Sequence, residues 1–405
     1  MKLTDNKVGN QTIKILLVIP FFYPHKGGSQ KYAEEVNSKI MEMDSRFKVD
    51  VLCYNTKRAP KLESYRNFTV HRIPCWEIIK DKFLLPNPFS LLLKLISLSK
   101  NNYSFVETHV RFFDPTWWVW AYARLIGAKS VYVGHVPGHP VHQGWLVAMI
   151  GKFVDLTIAR FALQRYDFIF YANNACKNFY EGVLGIRKEG IVAHIGINPE
   201  EFSSKERDEI RIVPNANITL STNKVLITYA GRMLETKGII YLWEAILRLK
   251  NQLEKNVRDQ LVFCFAGPGN LNEKLRSLIK EAGLGANVLV LDELSYTDVR
   301  KLLAISNVFV NPSSYDEGLP NTLLEAGASR CFVITTDSGS INDLIVNGKT
   351  GSLIGKKNAG EISEAIKWYL NNQAQAQVMA DNLSADIKNN YTWEKAARVF
   401  INNLS

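Results

Sequence analysis

Two carboxylates, Glu317 and Glu325, stand eight residues apart around a turn that carries Gly318 and Pro320. The apolar run Val308-Phe309-Val310 ahead of the turn reads as a buried parallel strand. Leu323, Leu324 and Ala326 after it fall at helical spacing. A strand entering a tight turn and then a helix presents unpaired backbone N–H groups at the positive end of the helix dipole, which is a site for phosphate. Ionised Glu only accepts hydrogen bonds, so carboxylates beside such a site suit sugar hydroxyls better than phosphates. An ordinary helix start with two exposed glutamates has the same spacing. A second constellation places Gly231-Arg232 after the apolar run 224–230, with Lys237-Gly238 five residues beyond the Arg and a helix carrying Leu242, Ile246 and Leu249 next. Arg forks onto two oxygens and Lys acts as a point charge, a combination that suits a diphosphate; two solvated cations are the plain alternative.

Histidines form a third set. Residues 129–135 (KSVYVGH) read as a short strand with His135 at its carboxyl end, the end where ligands bind in doubly wound sheets. His139 and His142 follow closely and offer the same chemistry. Three such histidines raise the question of a metal, but no carboxylate or Cys adjoins them to complete a ligand set.

The positioning elements alternate. Residues 13–19 (IKILLVI) are a central-strand pattern ended by Pro20; a loop with Gly27-Gly28 follows, then a helix with Tyr32, Val36 and Ile40 on one face. The paired glycines let a backbone approach a substrate closely. Strands at 49–53, 68–73, 105–109, 168–172 and 191–197 continue the pattern, so the first half is a doubly wound α/β domain. Residues 261–266 lead into Gly267-Pro268-Gly269, and 333–337 form a further strand.

Glu317-Gly318-Leu319-Pro320 followed by Glu325-Ala326 resembles the E-G-x-P-x4-E-A signature of the retaining glycosyltransferases of family four, the group 1 glycosyltransferases, which have the GT-B fold. The resemblance extends over nearly the whole chain. It implies two Rossmann-like α/β domains facing each other across a cleft, and glycosyl transfer from a UDP- or GDP-linked sugar with retention and no metal or other cofactor. Glu317 then contacts the donor sugar, and Glu325 holds the ribose hydroxyls. The turn of Gly318, Leu319, Pro320, Asn321 and Thr322 binds the β-phosphate. The G-R-x4-K-G element pairs Arg232 and Lys237 with the pyrophosphate, Gly267 lies near the base, and the Gly27-Gly28 loop borders acceptor and donor phosphates. His109 closes a strand on the acceptor side, and His135 lies near the transferring sugar carbon. Departures accompany these matches: Ile195 and Asn198 stand where the family usually has Asn and Asp. Asp292 and Arg330 replace Gly, Phe332 replaces Pro, and Ser340 and Asp343 replace Gly and Glu. A nucleotide-sugar 2-epimerase or hydrolase of the same fold, and a non-catalytic nucleotide-sugar sensor, are the alternative readings.

A chain of 405 residues exceeds a typical single core. The expected division is 1–202 as the acceptor domain, with a crossover helix at about 388–405 returning to it. Residues 203–223 form a polar linker, and 224–387 the nucleotide-sugar domain. The net charge of +10 falls entirely on residues 1–200, which hold 26 Lys and Arg against 16 Asp and Glu. A basic half beside a neutral one points to an anionic partner: an anionic membrane surface or a lipid-linked acceptor ahead of nucleic acid, for which no motif is present. Residues 145–163 approach spanning length but carry Lys152, Asp155 and Arg160, each costing about 2.5–3.5 kcal/mol at a bilayer centre. They read as a packed amphipathic helix or an in-plane membrane contact, not a span. Five scattered cysteines and a polar start fit a cytoplasmic protein, peripheral at the inner membrane face.

Overall fold

The computed structural model describes residues 12–25, 27–79, 83–139, 145–202, 211–216, 218–315 and 318–405. It divides into two compact units, Met1–Gly196 with Trp393–Ser405, and Ile197–Thr392.

The first unit opens with β1 (Ile13–Val18), α1 (Gly28–Met43), β2 (Phe47–Tyr54), β3 (Leu62–Tyr65) and β4 (Phe68–Ile73). A hairpin of β5 (Cys75–Ile79) and β6 (Phe83–Pro86) precedes α2 (Pro88–Leu98), β7 (Phe105–His109), α3 (Pro115–Leu125) and β8 (Lys129–Gly134). Then come α4 (Trp145–Val154), α5 (Arg160–Leu163), β9 (Phe168–Tyr171), α6 (Asn174–Asn178) and β10 (Ile191–Val192). Eight strands form one sheet in the order β10-β9-β8-β7-β1-β2-β4-β3, parallel throughout except at the β3 edge. Ile15 to Val18 are wholly buried because helices cover both faces of a parallel sheet, which is why the run is continuously apolar. α1 turns Tyr32, Ala33, Val36 and Ile40 onto it.

The second unit starts with the hairpin β11 (Arg211–Val213) and β12 (Ile218–Leu220), inside the stretch that its polar composition marks as linker. Val213 and Leu220 are buried there, and Arg211 donates to the carbonyls of Ser221 and Lys224 and to Asn307 Oδ1. Three residues per strand are too few to show a period, so the hairpin is invisible in the sequence. β13 (Val225–Ala230), α7 (Ile239–Gln252), α8 (Lys255–Arg258), β14 (Leu261–Ala266), α9 (Asn272–Glu281), β15 (Val288–Leu291) and α10 (Tyr296–Ile305) follow. The unit ends with β16 (Val308–Asn311), α11 (Asn321–Ala328), β17 (Phe332–Thr336), β18 (Ser352–Ile354), α12 (Ala359–Asn371) and α13 (Gln373–Asn390). Its six-stranded sheet, β15-β14-β13-β16-β17-β18, is parallel throughout. The last helix, α14 (Trp393–Leu404), belongs to the first unit: Phe400 stacks on Phe170 at 4.1 Å and Trp393 meets Tyr32 edge-on at 5.8 Å.

Each sheet reverses its strand order once, between β1 and β7 and between β13 and β16. Crevices for ligands open at such switch points, beyond the carboxyl ends of the strands.

Residues 145–163 form α4, a π-helical turn at Asp155–Ala159, and α5. Trp145, Met149, Ile150, Phe153, Ile158 and Phe161 are exposed along this segment, while Asp155 and Leu163 are buried. On α2, Phe89, Leu92, Leu93 and Ile96 are likewise exposed. α3 joins the two: Tyr122 Oη donates to Leu95 O, and Trp120 meets Phe161 edge-on at 6.3 Å. Arg165 lies over the Phe161 ring at 3.3 Å, Lys152 and Arg160 are exposed on the segment itself, and Arg124 is exposed near the end of α3. No helix among the described residues is long and apolar enough to cross a membrane.

Candidate active site

In the second unit, the loops after β13, β14 and β16 are bound to one another through their backbones. Met233 N donates to Pro268 O at 2.8 Å, Leu271 N to Met233 O at 3.3 Å and Ser314 N to Thr236 O at 3.0 Å. Two glycines permit this approach. Gly238 has φ +71, and a Cβ there would collide with the Pro312 carbonyl oxygen. Gly267 has φ +140, and a Cβ there would strike the Gly231 carbonyl. Lys237, half-buried, closes a 3₁₀ turn (Glu235–Lys237) immediately before Gly238 caps α7, and Arg232 is exposed on the same loop. Pro320 is the N-cap of α11, Leu319 is buried, Gly318 is half-buried, and Asn321 and Thr322 form the first helical turn. Asn321 Oδ1 has no hydrogen-bond partner among the described residues.

Glu325 is buried within α11, only 4% exposed. Burial, followed by the Glu325 and Glu201 carboxylates, pushes the Tyr296 hydroxyl well above its ordinary pKa. Glu317 lies outside the described residues, as does His142. Two departures from the family pattern gain a physical account. Asp292 accepts from Asn272 Nδ2 at 2.9 Å and Arg276 Nη2 at 3.0 Å, bonds that draw its carboxyl below the ordinary range. Asn272 in turn donates to Gly267 O, so Asp292 braces the loop after β14. Arg330 has φ +59, the backbone that favours Gly, and its Nε donates to Asp381 Oδ1 at 2.6 Å. At the end of β17 and just after it, the hydroxyls of Thr336, Ser338 and Ser340 are buried without a partner among the described residues.

In the first unit, a small open pocket lies at the β1/β7 switch point, lined by Pro20, Phe21, Ser29, Gln30, His109 and Val110 among others. Gly27 and Gly28 are exposed at the start of α1; a Cβ on Gly28 would touch nothing, so the fold itself does not demand glycine there. His109 and His135 come together: Nδ1 of His109 lies 2.8 Å from Nε2 of His135, and the rings stack at 5.0 Å. Burial, then the neighbouring His109, holds the His135 imidazole well below its ordinary pKa, so it is neutral at pH 7. His139, the rival to His135, has Nδ1 2.7 Å from Asp155 Oδ2. Arg111, wholly buried, shares Asp155 with His139: it donates from Nε to Asp155 Oδ1 at 2.7 Å and from Nη1 to Val136 O and Tyr180 Oη.

Two residues of this site escape the sequence reading. Glu107 is buried with its Oε1 2.7 Å from His109 Nε2. Val110 has φ +66, rare for a β-branched residue and a sign of strain held at the site. A carboxylate inside an apolar strand was the available signal for Glu107; nothing local marks Val110.

Two parallel α/β units, each with glycine loops and polar groups at a switch point, define the GT-B class. Residues 215–386 match the model of the family described as glycosyl transferases group 1. An uncharacterized glycosyltransferase of Methanocaldococcus jannaschii is 22% identical over 96% of this chain and 97% of its own length. The lipopolysaccharide core biosynthesis mannosyltransferase LpcC of Rhizobium leguminosarum is 32% identical over 31% of this chain and 35% of its own. Among solved structures, HepE of Anabaena in complex with UDP superposes with a TM-score of 0.75 at 15% identity, over 97% of this chain and 99% of that one. The chain is a glycosyltransferase of GT-B fold with two Rossmann-like domains.

Proposed function

We propose that this enzyme moves a glycosyl group from a nucleotide-sugar, UDP- or GDP-linked, to a glycan or lipid-linked acceptor, with retention at the anomeric carbon and without metal. The observation that carries this reading is the backbone-knit set of glycine loops at the β13/β16 switch point, with Arg232 and Lys237 on one loop and the start of α11 on the next. Cations and a helix start beside a close-approaching backbone suit a diphosphate. Glu325 takes the ribose hydroxyls and Glu317 the donor sugar. The similarity to a mannosyltransferase of lipopolysaccharide core biosynthesis and to a UDP-bound structure supports the same reading. Nucleoside diphosphate titrations of two variants test it. Glu325→Ala weakens UDP or GDP binding by roughly tenfold or more, the loss of a charge-assisted hydrogen bond of about 1.5–3 kcal/mol. Glu317→Ala leaves that binding nearly unchanged. The reverse outcome exchanges the two roles.

The enzyme works at the cytoplasmic membrane face, held there by the first unit. Exposed apolar side chains on α2, α4 and α5, with Lys152, Arg160 and Arg165 beside them, form an in-plane apolar face with cations suited to anionic headgroups. Each such cation contributes about 1 kcal/mol near an anionic surface and is screened by salt. Sedimentation with vesicles containing phosphatidylglycerol at low salt therefore retains the protein, and raising the salt weakens retention. Salt-insensitive binding of equal strength to neutral vesicles contradicts the electrostatic contribution.

A further inference from the structure

Glu107 has no place in the donor-binding scheme, yet it is wholly buried in the middle of β7. Its Oε1 accepts from Asn37 Nδ2 at 2.9 Å and lies 2.7 Å from His109 Nε2, while Oε2 has no partner among the described residues. Asn37 commits its other N–H to Ala33 O at 3.0 Å, which fixes the amide with its donors toward both oxygens. As a carboxylate, Glu107 only accepts, so Oε1 accepts from His109 as it does from Asn37. His109 Nε2 therefore carries the hydrogen. In a neutral ring the other nitrogen is then a bare acceptor, and His109 Nδ1 faces His135 Nε2 at 2.8 Å. His135 must donate from Nε2, which leaves its Nδ1 bare.

We infer that Glu107 is a positioning residue: acting through His109, it locks His135 in the Nε2–H tautomer and so presents Nδ1 as an acceptor for a hydroxyl of the transferred sugar. The sugar contact rests on the functional reading above; the tautomer rests on the hydrogen-bond chain alone. The rings are also held mechanically. Tyr32 packs edge-on against His135 at 4.8 Å, and its own hydroxyl donates to Ala193 O at 2.7 Å. Val110, in its left-handed conformation, fixes the chain directly after His109. An acceptor-only nitrogen accepts from a sugar O–H, whereas the other tautomer presents a donor.

Imidazole ¹⁵N spectra of the full chain, assigned by the signals missing in His109→Gln and His135→Gln, read the tautomer directly. The expected wild-type spectrum shows His135 protonated at Nε2 and bare at Nδ1 at neutral pH. Glu107→Gln retains an acceptor oxygen and retains this pattern. Glu107→Leu removes it, mixes the two tautomers and lowers kcat by roughly ten- to a hundredfold, with KM changed less. A wild-type His135 protonated at Nδ1 overturns the inference, whether or not either variant folds. So does Glu107→Leu with an unmixed spectrum and wild-type kcat. If the spectra are as stated but His135→Gln transfers sugar at the wild-type rate, the lock stands and the assignment of His135 to the sugar falls.

Discussion

Lys237→Ala is expected to lower kcat/KM by roughly ten- to several-hundredfold, with EDTA leaving the wild-type enzyme active. The leaving diphosphate gains negative charge in the transition state, and a fixed positive group must meet it. No D-x-D pair occurs anywhere in the chain to hold a metal for that purpose. Backbone geometry positions Lys237: it ends the 3₁₀ turn, and the left-handed Gly238 after it fixes its Cα beside the loop from β16. A hydrogen bond to a charged group contributes about 1.5–3 kcal/mol, more toward the upper end where water is excluded, and 1.4 kcal/mol is about a factor of ten in rate. The measurement is steady-state transfer with and without chelator. Activity abolished by EDTA and restored by Mg²⁺ refutes the metal-free mechanism, and a fully active Lys237→Ala refutes the phosphate assignment instead.

The largest expected loss of stability lies in the first unit. Arg111 and Asp155 are both wholly buried and form a two-point ion pair, Nε to Oδ1 at 2.7 Å and Nη2 to Oδ2 at 3.2 Å. Arg111→Ala leaves a carboxylate in the interior with His139 alone, among the described residues, to answer it, and removes the donors that hold the carbonyls of Val136 and Gly138. Breaking a buried pair on one side costs about 3–5 kcal/mol, or roughly 6–20 °C for a domain of this size. Replacing both partners, Arg111→Met with Asp155→Leu, is expected to recover most of that loss, since neither charge then remains unpaired. Thermal or urea unfolding of the three variants decides it. A single variant that unfolds with the wild type shows that water reaches the pair.

The apolar runs, glycine loops and helix starts were legible because they are local signals. The run at residues 13–19 is β1, ending one residue earlier, and 129–135 is β8 with His135 just past its end. The signature from Gly318 to Ala326 falls on a turn and α11, as the pattern of Pro320 followed by apolar residues at helical spacing implies. The residues at 145–163 show where local reading stops. Asp155 counts in the sequence as one charge among three against a membrane span. Its direction follows only from the helix packing, which turns it inward to Arg111 and leaves Lys152 and Arg160 outside.

The sequence by itself determined the two α/β units, the loops that carry the diphosphate cations, and the helix that carries Glu325, because turn chemistry and periodicity act within a few residues. The tertiary structure alone decided which distant groups share a hydrogen. β7 and β8 pair in parallel with His109 opposite Val133, so His135, two residues further, points to the same face as His109. Alternation within β7 puts Glu107 on that face too, two residues before His109, and α1 delivers Asn37 to it. Strand register is a property of the sheet, set by how whole strands bury their apolar faces, and no spacing within either strand encodes it.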